Sequence, residues 1–154
     1  MAYVKLGADS LDCEQLAPSL RAIDLRECNA FREQDAEPLD VLRDALSHSE
    51  DTYSVIGDEG YCIAIFGVGS IDDDGGCPWL LASDELFDKH SKEFVKQCAG
   101  FAKRLARNYR WLFNYVAVEN TKAIRWLEWL GFIVDRQTPT VFKGMTFYPF
   151  WYRK

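Results

Sequence analysis

Asn120 to Phe132 reads N-T-K-A-I-R-W-L-E-W-L-G-F, and it follows an apolar run from Trp111 to Val118. The run predicts a strand, and the stretch after it predicts a tight turn, a short helix and a new strand from Phe132. Asn120 suits the helix N-cap, where its side-chain oxygen accepts a backbone N–H. Ala123, Ile124, Leu127 and Leu130 fall on one apolar stripe, and Gly131 can end the helix in the left-handed conformation. Strand, helix and strand in this order form the centre of the fold.

Upstream, Phe94, Cys98, Phe101 and Leu105 recur at the spacing of one helix face, which predicts a helix over Ser91 to Arg107. Before it come strands at Tyr53–Ile56, Tyr61–Val68 and Trp79–Ala82. Gly57 to Gly60 forms the turn of a hairpin, and Asp72 to Gly76 forms a second turn. Tyr3–Leu6 reads as a first strand. Asp9 or Ser10 caps a helix bearing Leu11 and Leu16. Pro18 suits the start of another, with Leu20, Ile23, Leu25 and Phe31 as its apolar positions. A turn at Asp35–Pro38 leads into a helix over Pro38 to Leu46, and Thr146–Tyr152 closes the chain as an aromatic strand. The order predicts an α+β fold, a central mixed, mostly antiparallel sheet flanked by helices. No repeat, linker or composition shift divides residues 1–154, which read as a single domain.

The chain is 48% hydrophobic and 14% aromatic, enough for a substantial core. A net charge of −6 argues against broad nucleic-acid binding, while leaving room for one local basic patch. Without long acidic runs, that charge is also a poor basis for a polyanion mimic. Cys13, Cys28, Cys62, Cys77 and Cys98 are odd in number and widely spaced, with only His48 and His90 beside them. They read as reduced thiols of a soluble protein, with no metal site. The sequence reads as carrying no targeting segment, and no apolar run approaches the roughly 20 residues of a membrane helix.

Asn120, Ala123, Ile124, Trp126 and Gly131-Phe132, behind the strand Trp111–Val118, resemble the closing motif of the GNAT superfamily of acyl-CoA-dependent N-acyltransferases. The resemblance covers about Tyr61 to Val134. It implies a GNAT-like fold, with acetyl-CoA, where it binds, in the cleft between the fourth strand (Leu81 to Ser83) and the fifth (Tyr115 to Val118). The residues it places at the cofactor are Leu81, Ala82, Ser83, Lys89, His90, Ser91, Lys92 and Asn120. For an active enzyme it implies attack by a neutral amine on the thioester, with strand N–H groups stabilising the oxyanion.

Two parts of the family pattern are absent. The family's glycine-rich pyrophosphate loop corresponds here to Leu81–Phe94, which contains no glycine. The Tyr that many members place seven residues after the motif Asn is Leu127 here. Tyr115 is the substitute acid, and Asp84 or Glu85 the candidate base. Lys89, His90 and Lys92 cluster where the long helix is predicted to begin, where cations cost roughly 0.3–1 kcal/mol each unless an anion offsets them. The cluster is therefore a candidate receiver of phosphate in place of the missing loop.

Ser83-Asp84, N-Y-V-A-V-E-N-T at Asn114–Thr121 and I-R-W-L at Ile124–Leu127 are similar to a narrower group, the GNAT-like internal virion proteins of T7-like bacteriophages. That likeness implies a virion-associated or assembly role, a degenerate acetyl-CoA site, other virion proteins as partners, and the host cytoplasm or the virion as the location. The alternative is an active N-acetyltransferase with acetyl-CoA and an amine substrate. Phe147, Tyr148, Phe150, Trp151 and Tyr152 crowd the last strand, where Pro149 suggests a sheet edge or bulge. The aromatics on its outer face offer a surface for a partner or a second copy.

Overall fold

In the third strand of the computed structural model, which describes residues 2–154, alternate side chains enter two different cores. Ala64, Phe66 and Val68 face one side of the sheet and Ile65 the other, while a register shift opposite Val55 and Ile56 turns Cys62 to the side of Ile65 and Ile63 to that of Ala64. This strand, β3 (Cys62–Ser70), lies between β2 (Asp51–Ile56) and β4 (Gly75–Ala82), antiparallel to both. β1 (Tyr3–Leu6) pairs antiparallel with β2 at one edge. The sheet continues through β5 (Trp111–Ala117), β8 (Met145–Arg153) and β6 (Ile133–Val134), in the order β1-β2-β3-β4-β5-β8-β6, and β7 (Thr140–Phe142) also pairs with β8. Among the described residues only β4 and β5 run parallel, so the sheet is mixed and mostly antiparallel, as the element order predicts.

One face carries α1 (Ser10–Leu16) and α3 (Pro38–Ser47), whose Cys13, Leu16, Val41 and Leu42 pack on Ile56, Ile65 and Leu81. The other carries α5 (Ser91–Gln97), α6 (Phe101–Leu105) and α7 (Thr121–Leu130). There Phe94, Phe101, Leu105 and Trp126 cover Tyr53, Phe66, Leu112 and Phe150. Each such side chain contributes about 1.5–3 kcal/mol on leaving water. α7 has the predicted ends: Asn120 accepts from the Ala123 N–H, and Gly131 has φ 105°. Among the described residues, no helix is long and apolar enough to cross a membrane.

The structure corrects four local expectations. The helix predicted over Ser91–Arg107 is two helices, because Gly100 adopts φ 80° between them and stops the first. A further helix, α4 (Asp84–Lys89), fills the stretch after β4. Pro18 lies in a 3₁₀ turn, Ala17–Ser19, and the helix proper is α2 (Ala22–Asn29). In α2 the buried position is Asp24, while Ile23 and Leu25 are only partly covered. Gly75 and Gly76, expected in a turn, begin β4. A Cβ at Gly75 would run into the Trp111 ring, so glycine permits the one place where β4 meets β5.

The last strand is internal, not an edge. β5 pairs along one side of β8, and β6 and β7 share the other. The Pro149 carbonyl accepts from Asp135 N–H at 2.9 Å, at the point where the ladder passes from β6 to β7. A strand residue's N–H and C=O point the same way, so the missing donor falls in that gap. Phe147, on the second face, is covered by Phe31 and Phe142 from the same chain.

Candidate functional site

β4 and β5 pair only at Gly75–Trp111 and Gly76–Leu112, and then diverge. One side chain spans them near the start of the split: Asn114 Nδ2 donates to the Pro78 carbonyl at 2.7 Å. Further along, the gap is an apolar cavity of about 160 Å³, lined among others by Trp79, Leu81, Tyr115, Val116, Leu127 and Leu130. Diverging strands leave edge N–H and C=O groups without ladder partners, and such groups, if buried, require others.

The partners come from the chain leading into α2. Ala82 uses its two backbone groups on the edge facing the split, since the neighbouring Ser83 N–H bonds Ile63 on the β3 side. The Ala82 carbonyl accepts from the Arg21 N–H at 2.9 Å, and the Ala82 N–H donates to Asp24 Oδ2 at 2.9 Å. Across the split, the Ala117 N–H of β5 donates to Glu27 Oε1 at 3.4 Å. Asn120 ties the two sides together: its Oδ1 accepts from Arg21 Nη2 at 2.8 Å, and its Nδ2 donates to Glu27 Oε1 at 2.6 Å. Arg21 Nη1 reaches Asp24 Oδ1 at 3.4 Å, and the guanidinium lies 4.5 Å from the centre of the Phe87 ring.

Arg21, Asp24 and Asn120 are buried, and Glu27 is partly covered. Arg21 is 8% exposed and Asp24 3%. Burial pushes the Asp24 carboxyl up to about 6, against the opposing pull of Arg21. Burial, then the charge of Asp24, pushes Glu27 up to about 7. The Arg21 charge is thus shared between two carboxyls, one of which can hold a proton near neutral pH. Chemically the arrangement is a fastener between diverging strands.

Leu81 and Ala82 end β4, Ser83 follows at the N-cap of α4, all three are buried, and the Ser83 hydroxyl donates to the Ile63 carbonyl. Asn120 serves both the α7 cap and the cluster. Asp84 and Glu85 occupy the first turn of α4. Asp84 is 73% exposed with its carboxylate 3.8 Å from Arg21, and Glu85 lies 3.7 Å from Lys89. Lys89 sits in the last turn of α4, where a cation is favourable, so the electrostatic cost expected there does not arise. His90 is buried between α4 and α5, 3.7 Å from Asp58 and 3.9 Å from Glu93, while Ser91 and Lys92 are exposed. Tyr115 lines the cavity and packs against Phe31, Phe113 and Phe142. The structure therefore brings Leu81, Tyr115 and Asn120 to one cavity, with Ala82 held at its polar end, and Lys89 and Lys92 do not line it.

Sequence reasoning missed Arg21, Asp24 and Glu27. Their i, i+3, i+6 spacing puts three charges on one helix face, the signal that was available. All five cysteines are free, and burial raises every thiol: Cys28, beside the cavity, is pushed up to about 12. None is a ready nucleophile at neutral pH. Among the described residues, no group of three His, Cys, Asp or Glu side chains is placed to hold a metal ion.

Three comparisons bear on this geometry. The family profile described as "Bacteriophage T7, probable scaffold protein Gp13" matches residues 54–137, just over half of the chain. None of the curated proteins matches in sequence. Among solved structures, Ard1 from Thermoplasma volcanium is 14% identical with a TM-score of 0.68, covering 99% of this chain and 97% of its own. Spermidine N-acetyltransferase from Vibrio cholerae, in complex with CoA and spermine, is 14% identical with a TM-score of 0.64, covering 99% and 95%. A GNAT superfamily phosphinothricin acetyltransferase from Sinorhizobium meliloti, in complex with AcCoA, is 8% identical with a TM-score of 0.65, covering 99% and 88%. The fold is that of the GNAT acetyltransferases.

Proposed function

This chain belongs to the family described as "Bacteriophage T7, probable scaffold protein Gp13", and we propose that it works in phage assembly or in the virion through protein contacts, on an acetyltransferase fold whose cofactor cleft it has closed with its own side chains. The observation that carries this reading is the engagement of Ala82 and Ala117, on both sides of the split, by Arg21, Asp24 and Glu27.

An acyl-CoA does not fit these residues. The main-chain groups of Ala82 facing the split are taken, and so is the Ala117 N–H. The helix after β4 begins with Asp84 and Glu85 in its first turn, so a diphosphate there would meet two carboxylates. No glycine between Leu81 and Phe94 opens the main chain to it. Leu127 stands where a Tyr would deliver a proton. A fold can persist while its chemistry is lost, because activity resides in the site.

The contacts proposed for this role involve other virion proteins in the host cytoplasm or the particle. Trp129 on α7 is 70% exposed and Ile133 on β6 57% exposed, and these are the side chains such a contact would cover.

Thermal unfolding with and without 2 mM acetyl-CoA tests the reading. A cofactor bound a hundredfold above its Kd would add about 2.7 kcal/mol of stability. The expected shift is none. A rise in Tm that grows with acetyl-CoA concentration would return the chain to the acetyltransferases.

A further inference from the structure

The chain's charge is divided unevenly. Residues 1–88 hold five Lys and Arg against twenty Asp and Glu, and residues 89–154 hold thirteen against four. The densest part is 91–110, with six Lys and Arg and one Glu. Its cations, Lys92, Lys96, Lys103, Arg104, Arg107 and Arg110, are all exposed along α5, α6 and the entry to β5. The chain end joins this surface: the Lys154 N–H donates to the Arg110 carbonyl, and Lys154 Nζ donates to the Arg107 carbonyl at 2.9 Å. Arg153 sits opposite Trp111 in the ladder, one residue from Arg110. Arg107 pairs with Asp51 at 2.8 Å and Arg110 with Asp74 at 3.6 Å. Among the described residues, Lys92, Lys96, Lys103, Arg104 and Arg153 have no carboxylate at ion-pairing distance.

Helix dipoles account for part of this. Lys96 lies in the last turn of α5 and Lys103 and Arg104 in that of α6, where cations are favourable. They do not account for Lys92 in the first turn of α5, or for Arg107, Arg110, Arg153 and Lys154 beyond the helices.

We propose that this surface, running along α5 and α6 to the chain end, binds the phosphate backbone of duplex nucleic acid. An acidic protein is the competing partner, but a protein interface needs a desolvated apolar or aromatic centre. No large hydrophobic side chain is exposed between residues 89 and 110. Apart from Glu93, which lies 3.9 Å from His90, the exposed residues among the cations are Ser91, Gln97, Ala99, Gly100 and Asn108, small or hydrogen-bonding groups suited to phosphate. The same lack of exposed aromatic rings disfavours single strands, whose bases need stacking platforms. The acidic α1–α3 layer packs on the opposite face of the sheet, so one side alone faces the duplex. This inference does not depend on the state of the β4/β5 cleft.

Fluorescence anisotropy with a labelled 20-base-pair duplex of arbitrary sequence, in 50–200 mM salt, tests it. Five unpaired cations predict a slope of about −4.5 in log K against log salt, and a roughly 500-fold loss of affinity across that range. The Lys92→Glu/Lys96→Glu/Lys103→Glu variant changes only exposed side chains, and its unfolding midpoint verifies that it folds. It is expected to bind at least about a hundredfold more weakly at 50 mM salt. No binding by the wild type at 50 mM salt, or equal binding by the folded variant, would overturn the proposal. So would salt-sensitive self-association in sedimentation that the variant loses while duplex binding stays absent, because a second copy would then be the occupant.

Discussion

Replacing Arg21 with methionine is expected to lower folding stability by about 3–5 kcal/mol at pH 7.5, the range for breaking a buried ion pair from one side. The side-chain volume is nearly kept, so the loss reports charge and hydrogen bonding. Asp24 and Asn120 would each lose a guanidinium donor in a place closed to water. For a chain of this size the shift in Tm is roughly 10 °C. Urea unfolding at two pH values separates this from a packing defect. At pH 5 most of the Asp24 carboxyls are protonated, since burial raises that group to about 6, and a neutral carboxyl needs no cation. A substantial part of the loss should therefore disappear at pH 5. A loss under 1 kcal/mol, or one equal at both pH values, would show that the cluster does not fasten the split.

The second large effect is the pH dependence of the wild type. Asp24 moves from an ordinary 3.8 to about 6 on folding, and Glu27 from 4.5 to about 7, both through burial first. A carboxyl whose pKa is higher in the folded state binds more protons there. Its contribution is complete below the unfolded pKa, and it is lost as pH rises through the folded one. Stability should therefore fall as pH rises from about 4 to about 8, by on the order of 3 kcal/mol from Asp24 alone, of which about half is lost above pH 5. Asp12 has the opposite sign: burial opposes, but hydrogen bonds from Lys5 and Ser54 hold its pKa below the usual value. Its contribution is lost only in more acid solution, which places the maximum at about pH 4. The Asp24→Asn/Glu27→Gln variant keeps acceptor oxygens for Ala82 and Ala117, and it should flatten the profile between pH 5 and pH 8. A wild-type profile that is flat or rising there would contradict the assignment.

Much of the fold could be read from the sequence because its signals are local. Asn120 as cap, Gly131 as stop and the stripe between them lie within twelve residues, and the structure has them where the spacing puts them. The break at Gly100 was obscured by a real regularity. Phe94, Cys98, Phe101 and Leu105 keep one face to the core across the kink, so their period runs through it. Pro149 misled for a related reason: a proline inside a sheet needs an interrupted ladder, and only tertiary pairing shows that β6 and β7 leave that gap beside β8.

The cleft was half legible. The lack of glycine between Leu81 and Phe94 and the Leu at 127 showed which groups are missing. What replaces them depends on contacts between residues 58 to 99 positions apart, Asp24 with Ala82 and Arg21 with Asn120. The apolar residues of α2 drew attention to Ile23 and Leu25, while its inward face is charged. A helix that buries an aspartate breaks the rule on which hydrophobic patterning rests, and the diverging edge of β4 supplies the reason.

Residue-resolved amide hydrogen exchange, recorded with and without 2 mM acetyl-CoA, tests the closed cleft most directly. The account predicts that the Ala82 and Ala117 amides are protected in the free protein, as ladder amides are, and that acetyl-CoA changes neither. Rapid exchange of both amides in the free protein, with protection appearing when acetyl-CoA is added, would contradict it.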